Sequence, residues 1–229
     1  QVLDHIQLFG AIPARYEALK AGDPLTLYFA MARGYQADGI DAVAMEMTKW
    51  FDTNYHYIVP EFEPDQSFSL FTKKPVEEFT EAKAQGVLTK PVIVGPVTFL
   101  ASGKMRKGDG NTLSLLPKLL PVYAQLFAAL EAAGAEWIQI DEPFLALDLT
   151  KEQKDAYASA YAELAKSKGK LKFLINTYFE GLRENTELAF SLGGDAVHVD
   201  LVRAPEQLDA VLKAVKPNQL LSCGVIDGR

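Results

Sequence analysis

Asp141 and Glu142 stand side by side at the end of a short apolar run, "EWIQIDEP". Two nearby carboxylates are the minimum equipment for acid–base cleavage of a glycosidic bond. Neighbours on a regular strand point to opposite faces, however. The pair is therefore not expected to share a site, and one of the two is expected to cap or salt-bridge locally. A second stretch, "EMTKWFDTNYHYIVPEF" from Glu46 to Phe62, concentrates a lysine, an asparagine, a histidine and several aromatic rings. It reads in two ways. One is a rigid aromatic corner of Trp50, Phe51, Tyr55 and Tyr57 with their polar tips satisfied. The other is a binding rim, where Lys49 offers a point charge to a carboxylate or phosphate and Asn54 both donates and accepts.

Other chemistries find less support. The three histidines, His5, His56 and His198, and the single Cys223 lack the close spacing of a zinc motif. No native metal site is expected. His198 lies between Val197 and Val199 and reads as a satisfied buried histidine. Cys223, inside an apolar strand, reads as a small core hydrophobe. No GxSxG nucleophile elbow occurs, and no GxGxxG or GxxxxGK[ST] follows a strand.

The elements that must position these groups alternate along the chain. "KPVIVGPVTFL" (90–100), "EWIQIDEP" (136–143), "KLKFLINTYF" (170–179), "DAVHVDLV" (195–202) and "LLSCGVIDG" (220–228) are short, apolar and bounded by turn residues, so each predicts a buried strand. Residues 113–135, 150–169 and 204–216 repeat apolar residues at helical spacing. Thr150 with Gln153 three residues on forms a capping-box pattern, and Gly134 stops the first of these helices. Strands alternating with helices predict βαβ units and a parallel sheet. Their carboxyl ends, where such folds gather chemistry, carry "DEP", "NTYF", "HVDLVR" and "VIDGR". Polar groups arriving at one edge, strand after strand, favour a (β/α) barrel over a doubly wound sheet.

Composition is that of an ordinary globular protein: 229 residues, 48% hydrophobic and 23% charged. A net charge of −7 argues against a sequence-independent nucleic-acid surface. No apolar run is expected to reach transmembrane length, and the start lacks the pattern of a signal peptide. A lone cysteine fits a reducing compartment.

Taken in order, "EMTKWFDTNYHYIVPEF", "KPVIVGPVTFL", "EWIQIDEP", "NTYF", "HVDLVR" and "GVIDGR" resemble the N-terminal half of cobalamin-independent methionine synthases. The resemblance runs from "DHIQLFGAIPARY" to the last residue, and "TKWFDTNYHY" marks the N-terminal half. It implies an α/β (β/α)8 TIM barrel, here a partial barrel of about six of the eight strands, those ending near Pro60, Thr98, Pro143, Tyr178, Val202 and Gly228. Residues 1–229 would be a fragment of the N-terminal barrel domain, lacking the family's folate-contacting segment and two strands before Gln1 and the catalytic C-terminal barrel after Arg229. The family moves a methyl group from methyltetrahydrofolate polyglutamate to homocysteine, uses zinc bound in the C-terminal barrel, and needs no cobalamin. The resemblance implies that this chain holds no catalytic residue and no metal ligand. Lys49 would contact the polyglutamate tail, with Asn54 of the same motif beside it. It further implies a cytoplasmic methyltransferase with neither a nucleic-acid nor a membrane partner. Two other readings stand beside it: an independent carboxylate hydrolase using Asp141 or Glu142, and a purely structural half-domain.

Overall fold

The computed structural model of the chain describes residues 1–108 and 110–227. In chain order, helix α1 (Val2–Leu8) leads to α2 (Pro24–Arg33). Asp23 caps α2, accepting from the Thr26 amide at 2.8 Å, and Pro24 occupies the first turn, where its missing N–H costs nothing. Strands β1 (Tyr35–Ala37) and β2 (Ile40–Ala42) form an antiparallel hairpin through Asp38 and Gly39, both at positive φ, and β3 (Met47–Lys49) and β4 (His56–Ile58) form a second. After β5 (Glu61–Phe62) come α3 (Lys74–Ala84), β6 (Val92–Val94), α4 (Pro96–Ala101) and β7 (Lys104–Met105), which pairs in parallel with β5. Helix α5 (Leu116–Ala133) ends at Gly134, whose φ of 89° stops the helix without a Cβ penalty. Then follow β8 (Trp137–Asp141), α6 (Lys151–Ser167), β9 (Lys172–Asn176), α7 (Thr186–Ser191), β10 (Ala196–Asp200), α8 (Leu208–Ala214) and β11 (Leu220–Gly224).

The chain divides into two compact units. Residues 1–73 and 99–122 form the first, and residues 74–98 and 123–229 the second. In the first, Phe99 packs edge-on against Phe9 and Phe62, with ring centroids 5.2 and 5.6 Å away. Arg15 forks onto Glu61 at 2.7 and 2.9 Å and also donates to the Val43 carbonyl, fixing the segment that enters β3.

The second unit holds the parallel sheet that the alternation predicts, in the order β11-β10-β9-β8-β6. Its residues alternate as a helix-covered sheet requires. Ile138, Ile140, Phe173, Ile175, Val197 and Val199 are buried on one face, and Phe127 of α5 meets Phe173 there with centroids 4.9 Å apart. The capping box of α6 forms as read: the Gln153 amide donates to Thr150 Oγ1 at 3.2 Å, and the Thr150 amide donates to Gln153 Oε1 at 2.9 Å.

Four expectations need correction. The strand ending near Pro60 is not a member of the parallel sheet: His56–Ile58 pairs antiparallel with Met47–Lys49 instead. Residues 96–100, read as the tail of a strand, are helical, because Pro96 suits the first turn of a helix. Cys223 is exposed rather than a core residue, since β11 is bonded to β10 alone among the described residues. Residues Thr112–Ala133 are long and apolar enough, by length and composition, to cross a bilayer. Here Leu119, Tyr123, Leu126, Phe127 and Leu130 from that helix are fully buried in protein, the pattern of a core helix. The strand read as ending near Gly228 is present as β11, while Gly228 itself lies outside the described residues.

Candidate functional site

Two polar constellations emerge, one in each unit. In the first unit the β3–β4 hairpin carries Lys49 at its mouth and Asn54 in its loop. The loop is closed by its own backbone: the Trp50 amide donates to the Tyr55 carbonyl at 2.7 Å, and Thr53 Oγ1 donates to the Trp50 carbonyl at 2.5 Å and accepts from the Tyr55 amide at 3.1 Å. Phe51 turns the chain at φ 55°, an αL position for a bulky residue. Trp50 packs against Phe51 and Tyr57 with centroids 5.1 and 5.0 Å away, and the Tyr57 hydroxyl donates to the Ser102 carbonyl at 2.9 Å. The aromatic-corner reading therefore holds for these three rings. Tyr55 is not part of it and stands 71% exposed.

On this stiff support Lys49 and Asn54 are both exposed. Among the described residues the Lys49 ammonium forms no ion pair and the Asn54 side-chain amide no hydrogen bond. The corner and the rim are thus two faces of one hairpin. His56, whose spacing from the other histidines suits no zinc motif, sits directly across from Lys49 in the ladder.

In the second unit the carboxyl edge of the sheet aligns Val94, Asp141, Asn176, His198 and Ser222 in one register row. Asp141 accepts from Asn176 Nδ2 and Gln139 Nε2, both at 2.8 Å, and from the Tyr178 hydroxyl at 3.5 Å. His198 Nδ1 lies 2.9 Å from Ser222 Oγ, so the histidine is satisfied as expected, although only half buried. Burial pushes its imidazole below the ordinary value, against the opposing pull of Asp200.

Glu142 leaves this row for the opposite side. It is completely buried and accepts from the amides of Val97 and Thr98 at 3.4 and 2.9 Å, and from the hydroxyls of Tyr157 and Tyr161, both at 3.1 Å. Burial raises its carboxyl to about 7, while Thr98 and the two tyrosine hydroxyls pull it back. Burial and the Glu142 charge in turn raise Tyr157 and Tyr161 well above their ordinary value. Of the expected pair, then, Glu142 does cap a helix, but a distant one, α4. Asp141 bonds Asn176, Gln139 and Tyr178 at the sheet edge, whereas Glu142 bonds Thr98, Tyr157 and Tyr161 in the buried cage, so the two carboxylates face different groups. Sequence spacing could not reveal this cage, because its partners come from residues 45 and 44 positions earlier and 15 and 19 positions later.

Among the described residues no three His, Cys, Asp or Glu side chains come together as a metal-binding group.

A parallel sheet wrapped by helices, with its polar groups at the carboxyl edge, defines an α/β protein built as a partial (β/α)8 barrel. The chain belongs to a family described as the cobalamin-independent synthase, N-terminal domain, which matches residues 1–229. It is 55% identical over 228 residues to a 5-methyltetrahydropteroyltriglutamate–homocysteine methyltransferase of Xylella fastidiosa strain 9a5c, covering 100% of this chain and 30% of that protein. A protein of the same name from Mesorhizobium japonicum is 50% identical over 242 residues, covering 100% of this chain and 31% of the other. The chain thus spans about 30% of the length of the curated relatives it matches. Among solved structures, a methyltransferase from Methanosarcina mazei superposes with a TM-score of 0.51 at 14% identity, covering 97% of this chain and 84% of that one, a likeness of fold alone.

Proposed function

We propose that this chain is the folate-side N-terminal domain of a cytoplasmic methyltransferase that makes methionine from homocysteine and 5-methyltetrahydropteroyl polyglutamate, and that Lys49 and Asn54 hold the polyglutamate tail. One observation carries the reading. Lys49 and Asn54 are exposed and, among the described residues, unengaged on a hairpin whose loop is otherwise closed on itself. A tail of glutamate carboxylates needs such a cation and such an amide, held at fixed positions so that little ordering remains to be done on binding. On a chain of net charge −7, a lysine with no ion pair among the described residues is also a selective feature for an acidic ligand.

In this reading homocysteine activation belongs to another part of the whole synthase. Zinc there would supply a thiolate near neutral pH. The residues of this chain bind and orient the tail and take no part in methyl transfer. The second unit's buried Glu142 cage acts as scaffold.

The test is Lys49→Ala in the whole synthase. Triglutamate folate should bind about three- to tenfold more weakly, in the range of one partly exposed charge contact, while monoglutamate folate and homocysteine are unaffected. Equal losses for the mono- and triglutamate substrates would overturn the assignment of Lys49 to the tail.

A further inference from the structure

We infer that His56 is a second tail-binding residue, closing a two-point clamp with Lys49 on a single carboxylate of a glutamate tail; this rests on the tail-binding reading above. Lys49 and His56 are direct partners in the β3–β4 ladder. Directly opposed residues in an antiparallel pair project from the same face, with Cβ atoms about 5 Å apart. Both side chains are exposed. A carboxylate has two oxygens, and this spacing lets one face the ammonium while the other faces the imidazole.

The ring is already oriented for the task. His56 Nδ1 lies 3.0 Å from the Asn54 carbonyl oxygen, which can only accept, so Nδ1 carries the proton. Nε2 is therefore the nitrogen left to meet a ligand. With Nε2 protonated, the imidazolium donates to the carboxylate. With Nε2 bare, its lone pair repels one. The same hydrogen bond gives Asn54 a second role, since its backbone carbonyl aims the ring.

The charged surroundings leave Lys49 as the group opposite the ring. The elements packed most closely against β4 are β3 and α1. Strand β3 supplies Lys49. On α1 the titratable groups are Asp4 and His5, and His5 Nδ1 lies 2.8 Å from the Gln1 carbonyl. Asp52 is exposed in the connecting loop.

The experiment is calorimetric titration of the whole synthase with 5-methyltetrahydropteroyltriglutamate and with its monoglutamate, at pH 6 and pH 8, for the parent protein and for His56→Gln, His56→Ala and Lys49→Ala. The clamp expects the triglutamate preference to be about three- to fivefold larger at pH 6 than at pH 8 in the parent, and that pH dependence to vanish in both His56 variants. Gln keeps a neutral donor at this position, so His56→Gln should retain at least half of the pH 8 preference even if His56→Ala disturbs the hairpin. If Lys49→Ala erases the triglutamate preference while both His56 variants keep the parent pH dependence, the clamp is wrong and the tail reading stands. If Lys49→Ala leaves the preference intact, the tail reading fails and the clamp with it.

Discussion

The Tyr161 hydroxyl donates to Glu142 Oε1 over 3.1 Å, with both groups buried in the second unit. Tyr157 does the same to Oε2, and the Thr98 amide completes the cage at 2.9 Å. A carboxylate so enclosed trades hydration for four donors, and the trade is incomplete, which is why its carboxyl rises from the ordinary 4.5 to about 7. Between those two values the folded chain binds a proton that the unfolded chain has released. The associated stability is present in full below about 4.5 and is lost as pH rises to about 7 and beyond, a swing of roughly 3 kcal/mol at most. Glu142→Gln removes the titration. Denaturant midpoints of the parent and Glu142→Gln, compared from pH 5 to pH 8, should show the parent losing stability relative to the variant as pH rises. A constant difference across that range would show that Glu142 does not titrate there. Glu142→Ala should cost about 3–5 kcal/mol at pH 5, because it opens a cavity and strands two buried tyrosine hydroxyls, and the cost should shrink as pH rises and the parent loses its Glu142-linked stability.

Gly95 is the other half of that cage. A Cβ at this position would overlap the Glu142 carboxyl group, which is wholly buried and has no room to swing away. Gly95→Ala is thus expected to destabilise by about 1–3 kcal/mol through overpacking. Gly39→Ala is the contrasting case. Nothing crowds its Cβ position, and its cost comes from the positive φ of 77° alone, about 1 kcal/mol. Thermal melts of the two variants should rank Gly95→Ala below Gly39→Ala, and Gly95→Ala at parent stability would mean the glycine is not required for close packing.

How far the sequence carried the reading depends on where each element's partners lie. Strands β6 and β8 to β11 were legible because each is a short apolar run bounded by turn residues, and the cap of α6 because Thr150 and Gln153 are local to each other. The β1–β2 hairpin was missed although Asp38-Gly39, a dipeptide suited to two successive positive φ angles, announces it. The β3–β4 hairpin was misread as a barrel strand because its turn uses Phe51 at positive φ, a residue that signals nothing of the kind. Lys49 and Asn54 stood out by type, whereas the importance of His56 depends on a ladder register that no local spacing encodes. Glu142 was undervalued for the same reason: its four donors are remote in sequence.

The edges of the parallel sheet set the behaviour of the 229-residue chain taken by itself. Among the described residues β11 bonds only to β10, and β6 only to β8, so each presents one row of backbone groups without a strand partner. The β11 side is also apolar: Leu220 of β11 and Val225 and Ile226 just beyond it are 61%, 62% and 85% exposed, and Leu212 of α8 adds to the exposed apolar surface of the same unit. An unpaired strand with exposed apolar side chains is a template for another chain. The expected outcome is concentration-dependent self-association of the purified 229-residue chain, seen as a mass above 25.2 kDa by light scattering at micromolar concentrations. Leu220→Lys combined with Ile226→Lys places charge on that edge and should shift the chain toward monomer without lowering its melting temperature, because neither side chain is buried. A parent chain that stays monomeric across the concentration range, with a sharp two-state melt, would show that the β11 edge is closed by the chain itself.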